Sequence, residues 1–82
     1  MNNKERYINF IVDDLISKTE IDYEKEKIKF PFRSPTPLIS FSSYLSVFPF
    51  ARYVIERYGT RDEEVHTIFG VYKERLQNLI NK

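Results

Sequence analysis

Residues 34 to 51 carry no charged side chain, in a chain of 82 residues of which 30% are charged. All four prolines and five of the seven phenylalanines lie between Phe30 and Phe50. Ser40, Ser42, Ser43 and Ser46 are interspersed among the rings. Such a segment is too apolar to be a solvated linker, and proline interrupts it too often for one plain helix. It has to be covered by the rest of the domain, by a second copy or by a partner.

The chain is long enough for one small domain. At this size folding buries only roughly 60–65% of the surface the unfolded chain exposes, so stability is marginal. There is no cysteine to supply a disulfide or a thiolate metal site. The core therefore has to come from Phe and Tyr, 16% of residues, with Ile, Val and Leu beside them. Each buried ring removes on the order of 150–250 Å² from water. Self-association is the other common remedy for a small core.

Thirteen basic against twelve acidic residues leave a net charge of +1. That balance gives no electrostatic reason to prefer nucleic acid, an anionic membrane or an acidic ligand. The first residues are polar and charged, with no secretory signal in view. Prolines and hydroxyls within the charge-free stretch argue against a membrane-spanning helix. A cytoplasmic protein is expected. Abundant Asn, Lys, Ile, Phe and Tyr suit an AT-rich genome, such as many phages have.

Tyr7, Ile8, Ile11, Val12, Leu15 and Ile16 recur at three- and four-residue spacing, which predicts an amphipathic helix over 3–17. Ile28, Phe30 and Phe32 alternate with Lys29 and Pro31, the period of a strand with one buried face. Pro31 keeps that strand short or at an edge. Ile21 and Tyr23 can pair back on it as a hairpin through residues 24–27, the alternative being an extended arm. Ser34-Pro35-Thr36-Pro37 is a stiff connector. Ile39, Phe41, Tyr44, Leu45, Val47 and Phe48 suit a short helix with a break near Phe48. A second helix is then expected from Pro49 to Tyr58, stopped by Gly59. Thr60-Arg61-Asp62-Glu63 reads as a capping box with Thr60 as cap. Val65, Ile68, Phe69, Tyr72, Leu76, Leu79 and Ile80 continue a stripe to the C-terminus. Gly70, inside that helix, is expected to mark a place where another backbone or ring packs closely. The fold expected is mainly α with a small α+β option: one domain, 1–82, of three to four helices and a short extended or hairpin element near residues 20–32.

Few residues offer chemistry. The corner at Gly59-Thr60 joins two helices, but Asp62, Glu63 and Glu64 at the start of the second would repel phosphates. Lys25, Lys27, Lys29 and Arg33 form a basic arm diluted by Glu24 and Glu26, so nucleic-acid binding is disfavoured. His66, the only histidine, shares a helix side with Asp62 and Glu63. No further cluster supplies a third metal ligand, and no nucleophile accompanies the pair. Asp13 and Asp14 diverge by about 100° on a helix and read as a solvated face. The residues thus point away from an enzyme, a cofactor or a metal.

What remains is the aromatic segment. Phe30, Phe32, Phe41, Tyr44, Phe48 and Phe50 are the candidate partner-binding residues, because rings lose little side-chain entropy on docking. The expected function is a non-enzymatic protein-interaction module, for instance a virus- or phage-encoded accessory or inhibitor protein. The alternatives are a subunit of a homo-oligomer or viral assembly, and a nucleic-acid-binding helical protein.

Overall fold

The computed structural model describes residues 3–32, 39–41 and 46–81. The elements run α1 Asn3–Ser17, β1 Glu20–Asp22, β2 Lys27–Lys29, β3 Ile39–Ser40, α2 Val47–Tyr58 and α3 Asp62–Ile80. The fold is mainly helical with a small antiparallel sheet, three helices being described. The connector 34–37, Leu38 and the stretch 42–45 lie outside the described residues.

Helix α1 buries Ile8, Ile11, Val12 and Leu15 along the expected stripe. No glycine stops it. Instead the Ser17 hydroxyl donates to the Asp14 carbonyl and the Thr19 hydroxyl to the Leu15 carbonyl, so side chains satisfy the last turn. The chain then forms the hairpin, with Ile21 opposite Ile28 and Asp22 opposite Lys27. Tyr23 falls in the turn and Lys27 in β2, and the strand ends at Lys29, so Phe30 and Phe32 lie beyond it. The turn is held by the Lys25 backbone N–H donating to Asp22 Oδ1, and Glu26 closes it at φ 54°.

Ile39 and Ser40 do not begin a helix. They pair antiparallel with Ile28 and Lys27 to complete a sheet of order β1-β2-β3. The physical reason is the second edge of β2, whose backbone groups need partners as the strand becomes covered. Phe41 extends the pairing by donating its N–H to the Glu26 carbonyl.

Helix α2 starts two residues earlier than expected. Ser46 caps it by accepting from the Phe48 N–H at 3.3 Å, which places Pro49 in the first turn where its missing donor costs nothing. Gly59 ends the helix as expected, at φ 67° and ψ 28°, its N–H donating to the Ile55 carbonyl.

The capping box does not form. Arg61 occupies the cap position of α3 without a side-chain bond. Thr60 is buried, and its hydroxyl donates back to the Val54 carbonyl at 3.1 Å. A buried hydroxyl does more for the fold by satisfying a buried carbonyl than by capping an exposed turn. Asp62, Glu63 and Glu64 still lie at the positive end of the α3 dipole. Gly70 is not a close-packing site either: a Cβ built there meets nothing within 4 Å.

Helix α3 is the central element and packs against both α1 and α2. Its stripe Val65, Ile68, Tyr72 and Leu76 faces Ile11, Val12 and Leu15 of α1 and Phe50 and Val54 of α2 within one core. Ile28, Phe30 and Phe32 enter the same core from the sheet and the chain after it.

Candidate functional site

The six candidate rings divide. Phe30, Phe32 and Phe50 are buried within the single chain. Phe30 stacks on Phe32 with centroids 5.0 Å apart, Phe32 meets Phe50 edge-on at 5.3 Å, and Tyr72 touches all three. Phe69 adds a ring at 4.9 Å from Phe50. These are stacked, tilted and edge-to-face pairs at centroid separations where rings attract beyond the area they bury. Phe30, Phe32 and Phe50 are therefore spent on the core and have no face left to present to a partner. Phe41 is half-buried against that core, and Tyr44 lies outside the described residues. Of the described members of the set Phe48 alone stands in solvent, 80% exposed.

Helix geometry explains the split. Phe48 and Phe50 are two residues apart, so their side chains point about 200° away from each other around α2. Phe50 shares the inner side with Val54, one turn on, and both are fully buried. Phe48 is consequently outward. That signal was present in the sequence, and depended on placing the helix start at Val47.

Lone exposed apolar residues are ordinary on protein surfaces. What distinguishes Phe48 from Phe10 on α1, also exposed, is its surroundings. An open groove of about 210 Å³ runs between α2 and α3 beside it, lined by Val47, Phe48, Ala51, Ile55, Asp62, Val65 and His66. Half-buried Val47, Ala51 and Ile55 line it from α2 and buried Val65 lines it from α3. The Ser46 cap fixes the first turn of α2, so the Phe48 ring is carried by a rigid element rather than a loop. On the outer rim Arg52 and Glu56 pair at 3.3 Å, both strongly exposed.

His66 and Asp62 sit in the opposite wall. Among the described residues no three His, Asp or Glu side chains come together as metal ligands, and no hydroxyl or amine lines the groove as a nucleophile. Its chemistry is that of an apolar slot with a polar lip.

Asp13 and Asp14 are not merely solvated. Asp13 accepts from Arg75 of α3 at 2.7 Å. Asp14, on the diverging side, accepts from Lys18 at 2.7 Å and from the Tyr58 hydroxyl of α2, with Arg57 at 3.9 Å. The hydrogen bonds from Lys18 and then Tyr58 hold its carboxyl below the usual carboxylate value of 3.8. Burial, and then the hydrogen bond to Asp14, push the Tyr58 hydroxyl above its ordinary range. Two adjacent carboxylates thus fasten α1 to two different helices.

The basic arm is partly neutralised by its own hairpin. Glu20 lies opposite Lys29, with their side chains 3.4 Å apart, and Asp22 lies opposite Lys27. Arg33 is outside the described residues. Among the described residues no helix is long and apolar enough to cross a membrane. Compared with known proteins, the chain matches no family model, no curated sequence and no solved structure.

Proposed function

We propose that this chain is a non-enzymatic protein-interaction module that acts by binding a partner protein through the α2–α3 face around Phe48. The observation that carries this reading is a fully formed aromatic anchor, capped and rigid, standing in solvent next to an apolar groove. Burying one phenylalanine side chain contributes about 1.5–3 kcal/mol, which at about 1.4 kcal/mol per decade is a factor of roughly ten to a hundred in affinity. Anchors of this kind, ringed by polar residues, dominate the energetics of protein interfaces. The groove is below the roughly 300–1,000 Å³ typical of small-molecule sites, which favours a side chain as its guest.

A photoreactive phenylalanine analogue placed at position 48 tests the reading in the native host. Discrete covalent protein adducts are expected from position 48 and not from position 78, exposed on α3. Equal or absent adducts from the two positions would remove the support. Phe48→Ser is expected to leave stability within about 0.5 kcal/mol, as surface changes do. Phe50→Ala, by contrast, is expected to cost about 3–5 kcal/mol.

A further inference from the structure

We propose that the group entering this groove is an arginine side chain of the partner protein, its methylene stem along the apolar lining and its guanidinium on Asp62. The inference rests on the reading that the Phe48 face binds protein, and names the group recognised there.

The two ends of the groove differ in chemistry. Helices α2 and α3 meet at the corner formed by residues 59–61, so Ile55 and Asp62 line the end nearest that corner. Phe48, in the first turn of α2, lines the far end, about 10 Å from Ile55 at 1.5 Å per residue. Ala51 and Val65 supply apolar surface between them. The guest that suits this lining has an apolar body of some length and a polar head at one end.

Charge fixes the sign of that head. The arginines around the groove are already matched: Arg52 on the rim with Glu56 at 3.3 Å, and Arg61, beside Asp62 in the chain, with Glu63 at 3.7 Å. Asp62 is exposed and, among the described residues, makes no side-chain hydrogen bond or ion pair. The positive end of the α3 dipole amounts to about half a charge, so it does not cancel the carboxylate and the lip stays negative. A neutral apolar guest would fill the lining and leave Asp62 unmatched.

Arginine meets both ends. Its stem buries along apolar surface while its head keeps a polar setting. Its planar fork matches a carboxylate with two parallel hydrogen bonds, which the point charge of lysine does not. Phe48 packs where the stem enters.

N-acetyl-arginine amide is the probe, added in low salt to the isotope-labelled full chain at about pH 8, above the range in which imidazoles ordinarily take up a proton. Saturable NMR shifts are expected at Ala51, Ile55, Asp62 and Val65, with a dissociation constant on the order of a millimolar for so small a ligand. N-acetyl-citrulline amide, close in shape but uncharged, is expected to bind roughly threefold to fivefold more weakly, the effect of an exposed ion pair. Asp62→Asn is expected to weaken binding of the arginine amide by the same factor with unchanged helical circular dichroism. Equal binding of the two amides overturns the proposal. So does an Asp62→Asn variant that binds the arginine amide as wild type does, or the absence of a saturable shift at these residues. If position 48 still yields its specific protein adducts in such a case, the arginine is removed and the binding role stands. Without those adducts both fall.

Discussion

Gly70 shows how a single residue can look purposeful and be idle. It sits on the solvent side of α3, away from the Val65–Ile68–Tyr72–Leu76 stripe, with open space where a side chain would go. Glycine inside a helix costs about 1 kcal/mol against alanine. Gly70→Ala is therefore expected to raise unfolding stability by close to that amount in a urea melt. A loss of stability would reveal a contact at this site. Thr60 shows the converse. Its position before three acids suggested a cap, while its burial made a bond to the Val54 carbonyl worth more. Local spacing reveals which bonds a hydroxyl can make; packing decides which one it makes.

At the scale of elements, α1 and α3 were legible because their stripes persist over several turns, and the end of α2 because Gly59 has one strong conformational use. The sheet was half legible. Alternation announced β2, and its pairing with β1 was one of two open readings. The pairing of Ile39 with Ile28 joins residues far apart in sequence and depends on an edge that exists only once the hairpin has formed. Among the helices, α1 and α2 approach one another little and are tied mainly through side chains. The Tyr7 hydroxyl donates to the Tyr58 carbonyl, and Tyr58 and Arg57 converge on Asp14. Because the folded carboxyl of Asp14 titrates below its unfolded value, its contribution is complete above that unfolded value of 3.8. It is lost as pH falls through the lower, folded value. The group is half-buried but its cationic partners Lys18 and Arg57 stand in solvent, so screening keeps the effect within about 1 kcal/mol. A carbon-detected NMR titration is expected to give Asp14 a midpoint below 3.8 and to shift the Tyr58 ring signals with it. A midpoint at or above that value would mean the Tyr58–Asp14 tie is absent in solution.

For the whole molecule, the aromatic content read from the sequence resolves into an interior and an exterior part. Tyr72 holds the centre of the interior, fully buried among Phe30, Phe32 and Phe50. Thr19 already donates its single hydroxyl proton to the Leu15 carbonyl. The 2.7 Å contact between Thr19 and Tyr72 is therefore a bond donated by Tyr72, and its polar tip is satisfied. Among the described residues the domain buries Phe30, Phe32, Phe50 and Tyr72 by packing them on one another, and leaves Phe10, Tyr23 and Phe48 exposed. That Phe48 is one of the exposed rings while Phe50 is buried followed from the exact start of α2, the kind of boundary that sequence patterns place least well. The account as a whole rests on Phe48 being outside while Phe30, Phe32 and Phe50 are inside. Ring-proton NMR of the dilute chain with a soluble paramagnetic agent measures this directly. The account predicts strong broadening of the Phe48 ring and protection of the other three; a Phe48 ring as protected as Phe50 would contradict it.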